Sequence, residues 1–195
     1  RIVLGTTSNE AVQVIKQTLH PLVMRGVPVI VTSHETAELV REAATAFVAT
    51  KIAFINEIAG LCEHVHADAV NLSLALGLDK KIAPRCLQPG AGMGGTFAEI
   101  DLQSLTNLAS SKGVSLKVLA AAREVNHTLA DHMIEKITRA LHSLQNKDLG
   151  ILGLAFKPNT NSVAGSSSVR LVQNLITQGA RVRARVDRDH AAPRD

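Results

Sequence analysis

Aromatic side chains are nearly absent from this sequence. None of its 195 residues is Trp or Tyr, and Phe47, Phe54, Phe97 and Phe156 are its four phenyl rings. Single-stranded nucleic acids are usually held by bases stacking on rings beside basic groups. The formal net charge of +4 therefore does not by itself point to a nucleic-acid partner, and none is expected. Cysteine is scarce as well. Cys62 and Cys86 stand alone, without CxxC or CxxH spacing, which argues against a disulfide framework and a zinc site. No apolar run approaches the ~20 residues of a membrane span, and no signal peptide precedes the first strand-like stretch, so the expected location is cytoplasmic with no membrane partner. The chain opens on Arg1 rather than Met, as expected of a fragment or a trimmed chain.

What is present is aliphatic. With 46% hydrophobic residues and few rings, a core must be built from Ala, Val, Leu and Ile, which suits packed helices and buried parallel strands. "RIVLG" (1–5) predicts a strand, 8–26 a helix closed by Gly26, and "VPVIVTS" (27–33) a second strand, together one βαβ unit. Thr32 and Glu35 have capping-box spacing. A helix then carries Val40, Ala44, Phe47, Phe54, Ile58, Leu61 and Val65 on one stripe. About thirty residues give it a length near 45 Å, which fits a helix crossing between units or an oligomer seam. Shorter helices are expected at 68–76 from Asp68 and at 102–112 from Asp101, and a long one at 115–144. After Asn146 the texture changes to strand ("LGILGLAF"), loop, helix and strand ("RVRARV"), a second βα unit. The fold class is α/β: the end of a Rossmann-like domain (1–33), a central all-helical domain (34–146) and the start of a second Rossmann-like domain (147–195).

"PGAGMGGTFAEID" (89–101) contains Gly90-x-Gly92-x-x-Gly95, the spacing of a dinucleotide fingerprint. A true fingerprint lies directly between a strand and a helix. Here the glycines follow "KKIAPRCLQP", which has two prolines and no strand pattern. Four glycines in six residues are costly in entropy, so the loop reads as one whose backbone comes close to something, rather than as a plain connector.

The run "AELVREAATAFVATKIAFINEIAGLCE", then "GLDKKIAP", the glycine loop with Asp101, "EVN" (124–126) and "GLAFKPNT" resembles the nucleotide-sugar dehydrogenases in order and spacing, with the UDP-glucose branch nearest. The resemblance covers essentially the whole chain. It implies an N-terminal NAD-binding domain, a helical middle that dimerises, here helices 34–65 and 115–144, and a C-terminal domain that binds a UDP-sugar. It also implies an NAD-dependent two-step oxidation of the sugar to the uronic acid, in which a thiolate captures the aldehyde. Where the family has Gly-Gly-Ser-Cys-Phe-Pro-Lys-Asp, this chain reads Gly94-Gly95-Thr96-Phe97-Ala98-Glu99-Ile100-Asp101. Phe97 stands at the nucleophile, and Asp101 is retained. The family's catalytic Lys and Asn fall on Arg41 and Thr45, and its Arg that crosses the dimer falls on Lys81. Its cofactor-contacting Arg after "FKPNT" has no counterpart. Lys157 is kept, and with Gly92, Gly94 and Gly95 it is the implied substrate-binding set. The NAD fingerprint of the family would lie before Arg1. The resemblance therefore implies a family member whose fold is kept and whose active site is degenerate. A non-catalytic nucleotide-sugar-binding or dimeric scaffold protein is the alternative.

Other residues have simpler readings. Cys62 reads as a core thiol and Cys86 as a loop thiol. His64 with His66, and His127 with His132, lack i,i+4 spacing for two ligands on one helical face, so no metal site is expected. Arg181, Arg183 and Arg185 alternate with Val182, Ala184 and Val186 as the solvated face of a strand that ends at Asp187.

Overall fold

A computed structural model describes residues 1–185 and divides the chain into two compact units, with the boundary between Thr45 and Ala46. In the first, β1 (Ile2–Gly5) pairs in parallel with β2 (Val29–Thr32), Ile2 opposite Val29 and Gly5 opposite Thr32. Between them the expected single helix is two, α1 (Asn9–Thr18) and α2 (His20–Met24). Pro21 is the reason. Its missing N–H and its ring against the preceding turn break the ladder, and Pro is tolerated only in a new first turn, where it sits. Ser8 caps α1 by accepting from the Ala11 N–H at 3.1 Å, and Gly26 at φ 77° ends α2.

The third helix, α3 (His34–Val65), is capped one residue later than Thr32 and Glu35 predict. Ser33 Oγ accepts from the Thr36 N–H at 3.2 Å, so Ser33 is the cap. Glu35 accepts from its own backbone N–H and from Ser33, which holds its carboxyl below the ordinary value. The expectation that no segment is apolar and long enough to span a membrane is corrected here: α3 passes that test of length and composition, with a window mean hydropathy of 1.3. Alanine and β-branched residues raise the mean without any long run of large side chains. Within the second unit its polar groups bind protein. Lys51 Nζ donates to the carbonyls of Ile82 and Ala83 at 2.9 and 3.1 Å, and the buried Asn56 holds a loop described below.

In the second unit the buried face of α3 is Ala49, Ala53, Ile55, Asn56 and Cys62, while Phe47, Phe54, Leu61 and Val65 are half or more exposed. Cys62 is thus a core thiol, as expected, although Leu61 and Val65 near it in the sequence are exposed. Helix α4 (Ala69–Leu78) is capped by Asp68, as expected, and runs through Gly77. Helix α6 (Lys117–Leu141) buries Leu119, Ala122, Ala130 and Ile134. Strand β3 (Asp148–Leu152) pairs in parallel with β4 (Arg181–Arg185), and α7 (Ser167–Thr177) lies between them in the chain. Leu175, fully buried, joins Ile134, Leu144 and Ala180, with Leu149, Ile151 and Val182 packed around them. Arg181, Arg183 and Arg185 are exposed, and Arg181 pairs with Asp148 at 3.0 Å; Val186 and Asp187 lie outside the described residues.

The main correction concerns α5, which spans Thr96–Ser111 rather than starting from Asp101. Gly95 at φ 108° turns the chain, and its carbonyl already accepts from the Glu99 N–H at 3.2 Å. Thr96, Phe97, Ala98 and Glu99 form the first turn without a proline to delay it, so Asp101 is an interior helical residue and not a cap.

Candidate functional site

The glycine loop is suspended between two helices by asparagine side chains. From α3, Asn56 Oδ1 accepts from the Gly90 N–H at 2.9 Å while its amide nitrogen donates to the Ile52 carbonyl at 2.8 Å. From α6, Asn126 Oδ1 accepts from the Met93 N–H at 2.6 Å, and its nitrogen donates back to the Met93 carbonyl at 3.0 Å. One side-chain amide thus pairs both polar groups of one peptide residue, as a neighbouring strand would. Asparagine is a poor interior helix residue because its side chain competes for backbone groups. At both positions here it bonds a loop, and that is why these two helices tolerate it.

Three of the loop's four glycines meet protein closely, while a Cβ on Gly90 would meet nothing within 4 Å. A Cβ on Gly92 would collide with Asn126 Oδ1 and lie 2.8 Å from Leu129 Cδ1; one on Gly94 would lie 2.9 Å from the Gly165 carbonyl oxygen; one on Gly95 would lie 3.0 Å from the Phe156 ring. Gly165, at φ 66°, is matched to this loop in turn. Its carbonyl accepts from the Gly95 N–H at 2.9 Å, and a Cβ there would lie 2.7 Å from the Thr96 nitrogen. Close approach is therefore real at Gly92, Gly94 and Gly95, and the neighbours are α6 and the loop before α7. Phe156 then supports Lys157, whose ammonium lies 5.2 Å from the ring centroid. Gly94, Gly95 and Lys157 are thereby gathered around one phenyl ring. Lys81 is exposed, its backbone N–H bonded to Asp79 Oδ1 at 2.8 Å.

Phe97, the second residue of α5, is 78% exposed, and Asp101 follows it by four residues on the same helical face. Arg41 and Thr45 share one face of α3 by the same spacing, and Thr45 Oγ1 donates to the Arg41 carbonyl at 3.3 Å. Carbon at Phe97 supplies no nucleophile. Behind the first turn of α5 lies a cavity of about 410 Å³, lined by α5, α6, α7 and the glycine loop. Cys86 is exposed, in a backbone with φ 63°. His64 Nδ1 lies 2.8 Å from the Gly60 carbonyl oxygen, and His127 Nδ1 lies 3.0 Å from Arg170 Nη1.

With that geometry in hand, residues 35–128 match the pattern of the UDP-glucose/GDP-mannose dehydrogenase family, central domain. UDP-glucose 6-dehydrogenase TuaD of Bacillus subtilis is 38% identical over 184 residues, which is 94% of this chain and 39% of that protein. Over residues 35–128 the chain carries that family's central domain, and it resembles the family's UDP-glucose 6-dehydrogenases along nearly its whole length. Another similar relative, UDP-glucose 6-dehydrogenase of Rickettsia bellii, is 36% identical over 94% of this chain and 43% of its own length. Among solved structures, a UDP-glucose dehydrogenase from the archaeon Pyrobaculum islandicum superposes with a TM-score of 0.88 at 30% identity, covering 93% of this chain and 41% of that one. The chain thus spans about two fifths of the length of these relatives. Its fold is that of the corresponding stretch: a helical centre set, in chain order, between parallel strand pairs.

Asn56, Asn126 and Phe156 are the residues that sequence reasoning missed. The available signal was an Asn in the middle of each apolar helix, within "AFINEIA" and "REVNHTL".

Proposed function

We propose that this chain is the nucleotide-sugar-binding and dimerising section of a UDP-glucose 6-dehydrogenase-like protein, and that it does not itself oxidise the sugar. The observation that carries this reading is Phe97, exposed at the head of α5 where the family resemblance expects the thiolate. Without a nucleophile the aldehyde cannot be captured, and Asp101 has no covalent intermediate to assist in hydrolysing. The dehydrogenases of this family depend on NAD, which would accept the two hydrides. The chain's own turns do not fit its pyrophosphate. The turn from β1 to α1, residues 6–8, holds no glycine, and a Cβ on Gly5, which ends β1, would lie 2.8 Å from Ala37 Cβ and 2.9 Å from His34 Cα, so the close approach is to helix rather than to phosphate. No step through NAD is derived for these residues.

Binding of a UDP-sugar is supported by Lys157 and Gly95 sharing the Phe156 ring as a neighbour, a cation and a backbone whose shape is fixed in advance. Dimerisation is supported by α3, where Phe47, Phe54 and Leu61 recur every seven residues and stay 67%, 50% and 56% exposed. A stripe of large side chains at that spacing is a helix-packing seam, and α6 is the second helix expected to contribute. A cytoplasmic setting accompanies this reading.

The test is to mix the purified chain with UDP-glucose and NAD. No NADH should form, and sustained turnover overturns the reading. Calorimetric titration with UDP-glucose should give heat that Lys157→Gln reduces. A flat titration would remove the binding role and leave a dimeric scaffold.

A further inference from the structure

The cavity behind the first turn of α5 carries charge that the reading above does not use. Arg123 and His127 are four residues apart on one face of α6 and both line it. Arg123 Nη2 donates to Glu99 Oε1 and Gln103 Oε1, both at 2.9 Å, yet its Nε is buried with no partner. Arg170, from α7, bonds His127 Nδ1. Among the described residues no carboxylate lies within ion-pair distance of Arg170, while Glu99 serves Arg123. Two guanidiniums against one carboxylate leave the cavity with an excess positive charge. An orphaned N–H of a cation there is costly unless something accepts from it. The first turn of α7 adds its own positive end to the same wall through Ser166.

We propose that this cavity is a binding site for a small phosphate-type oxyanion, held by the guanidiniums of Arg170 and Arg123 that line it. The anion supplies the charge that Glu99 alone does not, and oxygen acceptors suit planar guanidinium donors. The volume of about 410 Å³ lies within the range of small-molecule sites and leaves room for an organic group on the anion. Lys157 does not line the cavity, although Gly94 and Gly95 of the proposed UDP-sugar set do, so the Lys157 and Arg170 variants tell the two roles apart.

The test titrates the full chain with inorganic phosphate, using calorimetry at ionic strength fixed with potassium chloride. Wild type and Lys157→Gln should bind alike, and Arg170→Gln should weaken binding by about tenfold or more. Arg170→Lys should restore part of it. Ala98→Leu, which fills the cavity and leaves every charge in place, should also abolish binding, and this keeps the test decisive if Arg170→Gln fails to fold. Absence of phosphate binding in the wild type overturns the proposal. So does binding that survives Ala98→Leu, or that is lost in Lys157→Gln and kept in Arg170→Gln.

Discussion

Replacing Gly92 by Ala tests the suspension of the glycine loop at its most crowded point. Two separate costs arise. At φ 88° an L-residue is held in a region it rarely visits, for about 1–3 kcal/mol. The added methyl also meets Asn126 Oδ1 and Leu129 Cδ1. Leu129 presents the end of a flexible side chain and can shift. Asn126 cannot shift without giving up both bonds to Met93. Each lost bond is worth about 1 kcal/mol net, and more where a buried group is left unpaired. Met93 and Asn126 are partly buried, so the clamp is worth about 2 kcal/mol, and Gly92→Ala should cost about 3–5 kcal/mol in all.

That decomposition predicts a coupling. In an Asn126→Ala background the clamp is already gone and the collision relieved, so Gly92→Ala should cost only the backbone strain. The double variant should be more stable than additivity predicts by about 2 kcal/mol. With no Trp or Tyr in the chain, the assay is urea unfolding followed by far-ultraviolet circular dichroism at equal protein concentration. Additivity within about 0.5 kcal/mol, the usual result for independent sites, would refute the idea that Gly92 is required by the Asn126 clamp.

Other perturbations check separate parts of the structure. Leu175→Ala, at the centre of the cluster joining α6, α7, β3 and β4, should lower unfolding free energy by about 2–5 kcal/mol in the same urea experiment. Phe54→Glu places a charge on the exposed stripe of α3 and should convert a dimer to monomer by light scattering; an unchanged mass argues against that seam. A thiol reagent should modify Cys86 quickly and Cys62, which is 3% exposed, only on unfolding; two fast thiols in the native protein contradict the assigned core. Lys136, hydrogen-bonded to Glu63, holds that carboxyl below its ordinary value. Its stabilisation is therefore present above the unfolded-state value and lost as pH falls through the folded one. Both side chains are more than half exposed, so Glu63→Gln should cost under about 1 kcal/mol at neutral pH and nothing at low pH, measured as urea midpoints at the two pH values.

Much of the architecture was legible because it rests on local rules. The parallel strand pairs, the long central helices, the Asp68 cap and the glycine ends at Gly26, Gly113 and Gly179 follow from periodicity and from turn chemistry. Failures fell where a single residue outweighed a pattern. Pro21 split a helix whose apolar spacing ran straight through it. Gly95 began α5 six residues ahead of Asp101, since a glycine at positive φ turns the chain where a capping carboxylate had been expected to do so. The stripe on α3 was found and its direction was not. Alanines at positions 49 and 53 are buried, Ala49 against Leu102 and Leu119, and the larger Phe47 and Phe54 are left outside. Spacing alone does not separate a face that meets this chain from one left open for another.

The glycine loop shows the same limit at the site itself. Its glycine density correctly signalled close approach, but a sequence cannot show what is approached. The partners are Asn126, Phe156 and Gly165, and the last two reach the loop from residues more than sixty positions later in the chain. This changes what Phe97 means. The loop is shaped by its own protein, through contacts that make no use of position 97, so the backbone that would present a nucleophile can persist after the nucleophile is gone. Phe97→Cys is therefore expected to leave the urea midpoint within about 0.5 kcal/mol of wild type, as surface substitutions do, while adding one readily modified thiol. A large loss of stability would mean that the phenyl ring has become part of the fold and that the site could not be restored by that change alone.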